Sequence, residues 1–413
     1  MKVLLSPFGS EGDVNPLIWA ASALTSRGHT AHLLLPPKYG GLADRAGLGW
    51  TPVGKPGGFD AIVRDPKFWH PMTGSAHVAS VMLSSYQEFL AAYRESGIRP
   101  DLVISSTLGL AAAFAAEAES IPTLRVHMQP AIFRSLADCP VFAHGLGWLP
   151  AAPAAVKNVA FRTIDGILNF ALRKPINTLR SELSLVPVRD VYRDIILGGD
   201  GVALMTPTWF AKPQIEWPEG VRQFAFPLDR SAQELPLPLK EFLYDNPEPI
   251  LWTHGSANFD TRRFHNCAIK TSQNLNLPFL IVGPELPDEP LPPNGLAISH
   301  VPFDILFPKC RAVVHHGGIG TTAKAIAAGI PQLVVPRAHD QPDNAARIAR
   351  LDLGLALPYP RLSPAKATRA MQRLLASEVI RNTCSQTAPL VLNADDSSAF
   401  ADFAESFVLH PCK

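Results

Sequence analysis

The chain is short of charge. Lys, Arg, Asp and Glu make up only 18% of its 413 residues, and their formal balance is +1. No basic run or cluster occurs, so the electrostatic footprint that nucleic acid requires is absent. Cysteine is scarce and scattered: Cys139, Cys267, Cys310, Cys384 and Cys412 are odd in number and include no C-x-x-C pair. Neither a disulfide framework nor a zinc site follows, and a reducing cytoplasm is the expected location. Long apolar runs are missing too. No uncharged apolar stretch approaches the roughly 18 residues of a spanning helix. The apolar run in "MKVLLSPFGSEGD" is too short for a signal peptide. An integral membrane segment is therefore not expected, while peripheral membrane contact stays open. There is no D-x-D metal motif and no low-complexity tract.

What is present is a repeated alternation. "KVLLSPF" reads as a strand, "NPLIWAASALTSRG" as a helix closed by Gly28, "HTAHLLLP" as a second strand and "PDLVISS" as another. A helix through Glu119 and a strand "TLRVHM" follow. Such alternation implies parallel βαβ units. Residues 129 to 200 read as helices and loops inserted near one face, and "GVALMTPTWF" as the last strand of the first half. The proline-rich, polar stretch from Phe226 to Pro249 reads as a linker. Alternation restarts with "ILWTHG", a helix from about Thr261, "PFLIVG", "LAISHV", "RAVVHHGG", a helix to Ala328 and "PQLVVP". The expected division is a first domain over 1–228, a linker over 229–249, a second domain over 250–392, and a C-terminal helix over 393–413 that packs back on the first domain. Two doubly wound α/β domains in tandem leave a cleft at the carboxyl ends of their strands, where ligands bind in such sheets.

Three loops of the second half carry ligand-type residues. Gly317, Gly318 and Gly320 permit close backbone approach, and Thr321 and Thr322 open the next helix, whose N-terminus attracts phosphate. His316 ends the strand and offers a hydrogen bond to the same phosphate. A plainer reading makes this a glycine turn with Thr321 as N-cap and His316 as a polar strand end. His339, Asp340 and Gln341 follow the neighbouring strand, and a carboxylate beside an amide suits bidentate recognition of sugar hydroxyls. Gly255 and Ser256 in "LWTHGS" stand at a third strand end. Together the loops describe a socket for a phosphate with a polyol attached, meaning a nucleotide sugar.

On these residues the chain resembles a known family. His315 to Gln341, with its histidine, glycines, "AAGIPQLVVP" and Asp-Gln pair, is similar to the donor-binding motif of family 1 glycosyltransferases. "FGSEGDVNPLIWAASALTSRGH", "RDPKFWHP" and "WFAKPQIEWPEGV" resemble the bacterial branch that holds the rhamnolipid rhamnosyltransferase and neighbours the sterol and antibiotic-aglycone glycosyltransferases. The resemblance runs from Lys2 to about Pro389. It implies the GT-B fold, two Rossmann-like doubly wound domains facing each other across a cleft. It also implies pyrophosphate contact by His316, with Gly318, Gly320 and Thr321 as donors and Ser256 touching a phosphate from the other side. Asp340 and Gln341 would hold the sugar, and the Val301 backbone would meet the base. Lys324 stands where many plant members carry a glutamate for the ribose hydroxyls, which leaves uridine and deoxythymidine diphosphates both open. Asp340-Gln341 suits glucose hydroxyls and sets the uridine-linked glucose slightly ahead of a deoxythymidine-linked rhamnose.

Asp13, in "GSEGDVNP" after the first strand, stands where many members of that family place a catalytic histidine. Ser105-Ser106-Thr107 stands near where they place its aspartate partner. A carboxylate acting alone accepts a proton from a hydroxyl as the glycosidic bond forms. The plainer reading makes Asp13 the N-cap of a helix with Pro16 in its first turn. His127 is a reserve base, or a strand-end histidine satisfied by backbone. For the acceptor, Phe68, Trp69, Met72, His127, Gln129, Phe133 and Trp148 lie in loop-rich segments and read as an apolar pocket, although each aromatic singly reads as core.

The expected activity is inverting and metal-independent transfer of a hexose from a uridine or deoxythymidine diphosphate sugar to a hydroxyl of an apolar acceptor. The nucleotide sugar is a co-substrate and no cofactor is expected. A sugar-nucleotide epimerase of the same fold is the alternative, without an apolar acceptor pocket. A non-catalytic sugar-nucleotide-binding partner is a third reading. A dinucleotide dehydrogenase is disfavoured because "GSEGD" lacks G-x-G-x-x-G.

Overall fold

The computed structural model describes residues 1–55, 57–70, 74–228, 233–255 and 261–409. The chain divides into two units. The first comprises 1–140, 147–227 and 395–413, and the second comprises 141–146 and 228–394.

The first unit holds β1 (Lys2–Ser6), β2 (Thr30–Leu35), β3 (Gly49–Pro52), β4 (Leu102–Ser106), β5 (Thr123–His127), β6 (Gly201–Leu204) and β7 (Val221–Gln223). They form one parallel sheet in the order β3-β2-β1-β4-β5-β6-β7. The strands β4 and β5 are buried along their whole length, as parallel strands covered on both faces are, although β5 carries Thr123, Arg125 and His127 among its five residues. "GVALMTPTWF" supplies β6 over only four residues, and the last strand is β7. β7 and β3 are short edge strands with little burial, too weak in pattern to read from sequence.

The second unit holds β8 (Ile250–Thr253), β9 (Phe279–Val282), β10 (Gly295–Ile298), β11 (Ala312–His315), β12 (Gln332–Val334) and β13 (Gly354–Ala356). Its parallel sheet runs β10-β9-β8-β11-β12-β13. Its core gathers Leu251, Leu280, Leu306, Phe307 and Val313. The expected linker is not all linker. Leu237–Asp245 is a helix, and Leu239 is fully buried in that same core. Proline at its first turn pre-sets the helical φ rather than breaking the helix, which the proline count concealed. Val141–Leu146 lies inside the sequence range expected for the first domain yet belongs to the second unit. The Val141 amide donates to the Asp343 carboxylate at 3.0 Å.

The Ser397–Leu409 helix packs on Glu11–Thr25 within the first unit. Phe400 meets Trp19 and Phe224, with ring centroids at 5.6 and 5.4 Å. Arg27 pairs with Asp402 at 2.6 Å, and His29 Nε2 meets Glu405 at 2.8 Å.

In each sheet the strand order reverses once, between β1 and β4 and between β8 and β11. Ligands of open α/β sheets bind outside the carboxyl ends of the strands at that reversal. Asp13 follows β1 and Thr107 follows β4. Gly255 follows β8 and His316 follows β11.

Candidate active site

In the second unit the β8 and β11 turns are built around one ring. A Cβ on Gly255 (φ +80°) or on Gly318 would overlap the His316 imidazole, so only glycine leaves room for it. His316 Nδ1 is buried and has no hydrogen-bond partner among the described residues. Burial, with His315 and His254 nearby, pushes the His316 pKa down to about 3. The ring is therefore neutral at ordinary pH and offers a phosphate one N–H rather than a cation. The preceding His315 is a structural support. The Gly317 amide donates to its Nδ1 at 3.2 Å, which leaves Nε2 protonated toward Gln332 Oε1 at 3.0 Å.

The helix after the turn is Ile319–Ala327, and its N-cap is Gly318. Thr321 is thus not the cap: it stands in the first turn, together with Gly320. The cap moved because Gly318, with φ −62° and ψ 141°, already has the extended conformation that an N-cap adopts. Ile319, Gly320 and Thr321 present the first-turn N–H groups that make a helix start an anion site.

The loop of Asp340 and Gln341 is tied to this turn by a residue that sequence alone did not single out. Asn344 is fully buried. Its Nδ2 donates to the Gly317 carbonyl at 2.9 Å and to Asp340 Oδ2 at 2.7 Å. Asn344 stands one helical turn after Asp340, on the helix Gln341–Arg350, so the i, i+4 spacing was a usable signal. Gln341 is partly committed to structure. Its Oε1 accepts from the Arg337 and Ala338 amides at 2.8 and 3.2 Å, closing the loop on itself. Its Nε2 takes no part in that closure. Asp343 and Arg347 form a buried ion pair at 2.7 Å on the same helix. Val301 is buried beside Leu306 and Phe307 in the core. Ser256 and Met72 lie outside the described residues.

In the first unit the helix Glu11–Thr25 is capped by Ser10, not Asp13. Asp13 is the third helical residue and closes a capping box: the Ser10 amide donates to Asp13 Oδ2 at 2.9 Å. Pro16 accordingly falls inside the helix rather than in its first turn. Gly9 (φ +140°) precedes the cap, and a Cβ there would collide with the Asp13 carboxylate. Although the Asp13 residue is only part-buried by surface, its carboxyl group is enclosed. Desolvation raises its pKa to about 6, against the lowering effect of hydrogen bonds from Ser10 and Gln129. A carboxylate held near 6 is a better base than a free one and still ionised at neutral pH. Gln129, expected at the acceptor, thus also touches the candidate base.

His127 is not a second base. Its Nδ1 meets Thr107 Oγ1 at 2.8 Å, its ring is fully buried, and burial together with Arg125 lowers its pKa to about 3. Phe133 is likewise core rather than pocket. It is 1% exposed, stacks on Trp217 at 4.8 Å and meets the His127 ring edge-on at 5.6 Å. His127 ends the central strand β5, and Phe133 packs with Val202, Leu204 and Trp217. Trp69 is buried with its ring edge on Phe68 at 4.9 Å. Trp148 is exposed at the surface. Ser106 Oγ accepts from the Phe8 amide at 2.9 Å, so it fastens the β1 turn. Among the described residues, no group of three His, Cys, Asp or Glu side chains could hold a metal ion.

Two parallel doubly wound sheets, each with its functional residues at the reversal of strand order, define the GT-B class of glycosyltransferase folds. The comparisons agree. Residues 285–395 match the family model for the C-terminal domain of proteins like erythromycin biosynthesis protein CIII. The chain is 29% identical to the O-mycaminosyltylonolide 6-deoxyallosyltransferase of Streptomyces fradiae over 374 residues, covering 87% of this chain and 86% of that one. It is 23% identical to the 4'-demethylrebeccamycin synthase of Lentzea aerocolonigenes, covering 91% of each. A calicheamicin glycosyltransferase crystal structure superposes with a TM-score of 0.68 at 21% identity, covering 100% of this chain and 99% of that one. These likenesses support a family 1 glycosyltransferase of the bacterial natural-product branch.

Proposed function

We propose that this glycosyltransferase moves a hexose from a uridine or deoxythymidine diphosphate sugar to a hydroxyl of an apolar small molecule, with inversion and without a metal ion. The observation that carries the donor side is the pair of loops joined by Asn344, one with phosphate-type groups and the other with the Asp340 carboxylate. In this reading His316 and the first-turn amides of the Ile319–Ala327 helix take the diphosphate and stabilise its charge as it leaves. Asp340 and the Gln341 Nε2 hold sugar hydroxyls, Ser256 adds a phosphate contact, and the Val301 backbone meets the base. Asp13 accepts the acceptor proton while the acceptor oxygen bonds the anomeric carbon and the nucleoside diphosphate leaves in the same step, a direct displacement that inverts that carbon. Trp69, Met72 and Trp148 remain proposed acceptor residues for their apolar side chains, and Gln129 for its place beside Asp13. A relative named for transferring 6-deoxyallose supports widening the sugar to 6-deoxyhexoses.

A matrix of uridine and deoxythymidine diphosphate sugars against phenolic, steroid, polyketide and lipid alcohols, read by mass spectrometry, tests the reading. A hexose or deoxyhexose mass gain on an apolar alcohol is expected. Isomerised sugar nucleotide with no acceptor gain would instead establish an epimerase. Competition between the two free nucleotide diphosphates decides the base.

A further inference from the structure

The Ala154–Glu182 helix leaves one face uncovered. Val156, Val159, Ile167 and Phe170 along it are 40%, 63%, 54% and 92% exposed. At 3.6 residues per turn these positions fall in a single stripe about 21 Å long, with Thr163 between them. Exposed apolar residues scattered singly need no explanation, but a continuous stripe does.

From Ala154 to Lys174, the stretch that carries the stripe, the exposed charges have one sign; the exposed Glu182 lies two turns further on. Arg162, Arg173 and Lys174 are exposed on the same helix. The other two ionisable groups between Ala154 and Lys174 are turned inward. Asp165 is paired with Arg134, and the Lys157 ammonium donates to the Leu136 carbonyl at 2.7 Å. The whole chain has a formal charge of only +1, so this bias belongs to the face and not to the protein at large.

We propose that this face docks the first unit on an anionic lipid surface. Phe170 and Ile167 enter the boundary between headgroups and acyl chains, and Arg162, Arg173 and Lys174 meet the headgroups. Charge complementarity selects this occupant. A second copy offering the same face would bring Arg162 and Arg173 against like charges, which specific interfaces avoid. A protein partner is favoured where a groove and directed hydrogen-bonding groups give specificity, whereas a single helix ridge of Val, Ile and Phe with a cationic flank suits a fluid apolar layer. Docking there would bring the enzyme to the phase in which an apolar acceptor concentrates.

Co-sedimentation of the full chain with vesicles tests this. Binding is expected to vesicles of phosphatidylcholine mixed with phosphatidylglycerol, to weaken with added salt, and to be much poorer for phosphatidylcholine alone. The Arg162→Glu, Arg173→Glu, Lys174→Glu triple variant and the Ile167→Asp, Phe170→Asp double variant should each bind at least about tenfold less. Their melting temperatures and their turnover of a water-soluble acceptor should match the wild type, because these side chains face solvent. No vesicle binding by the wild type, or binding unchanged in both variants, overturns the proposal. So does a wild-type dimer in sedimentation velocity that the Phe170 variant dissociates, which assigns the face to a second copy. A protein captured by the stripe without any vesicle binding overturns it in favour of a protein partner.

Discussion

The Asn344 side-chain amide stands 2.9 Å from the Gly317 carbonyl oxygen, so the helix that begins at Gln341 also holds the glycine turn of the neighbouring strand. The same amide reaches Asp340 at 2.7 Å. The glycine turn after β11 and the loop of Asp340 are therefore set by one buried side chain.

Asn344→Ala removes both bonds and leaves the Gly317 carbonyl and the carboxylate to find new partners. Loss of buried hydrogen bonds costs about 1–3 kcal/mol. The expected result is a donor KM raised on the order of tenfold and a lower melting temperature. Asn344→Asp should be worse for donor affinity than Ala, because it sets a second carboxylate beside Asp340. Equal donor affinity in all three proteins would show that the link is dispensable.

Asp13→Asn keeps the side-chain oxygen that accepts from Ser10, so melting temperature should shift little. Transfer to an unactivated alcohol should fall by roughly 100-fold or more. In the wild type the rate should rise as pH passes about 6, where the enclosed carboxyl group ionises. The variant should lack that limb and recover part of its rate with a phenol assayed above the phenol's own pKa. A near wild-type rate on alcohols would reduce Asp13 to a capping residue.

Stability should fall in mild acid. Burial holds His127, His265 and His315 at about 3, 4 and 4, against an ordinary value of 6.5. Below 6.5 the unfolded chain takes up protons that the folded chain refuses, so folding loses up to about 1.4 kcal/mol per pH unit per histidine until the folded values are reached. Asp13 works in the opposite sense. Raised from 3.8 to about 6, it keeps its proton when folded over a range where the unfolded chain has lost it. His316, also held at about 3, adds a fourth such ring, so one carboxyl group offsets one of four histidines and a net loss remains between about pH 6 and 4. Urea unfolding at several pH values measures it, and a flat profile would contradict the burial of these rings.

His127→Asn should lower melting temperature, because it removes a buried ring that packs on Phe133 and bonds to Thr107. The pH–rate profile of the surviving activity should keep its wild-type shape. A lost basic limb in this variant would restore His127 to catalysis.

Metal-independence is tested directly with chelator. Excess EDTA should leave turnover unchanged, and activity lost to it and restored by magnesium or manganese would refute the metal-free reading.

Much of this molecule was legible in the linear chain. Parallel strands covered on both faces must be apolar throughout, so β1, β4, β8 and β11 announce themselves as runs, and alternation with helices sets the doubly wound class. Short glycine turns at strand ends are local features as well, which is why His316, Gly318 and Asp340 could be named from spacing. Other properties depend on what lies overhead. Nothing near His127 or Phe133 in sequence says that the first is wholly buried at the end of β5 or that the second packs on Trp217 and Leu204. Neither the enclosure that raises the Asp13 pKa nor the docking of Val141 on Asp343 leaves a periodic trace, because each joins residues far apart in the chain. The sequence by itself determined which backbone segments form strands, turns and helix starts, since those follow from local propensity and period. Only the tertiary structure decided which of the polar groups stay accessible, because burial and hydrogen-bond partners are set by distant neighbours.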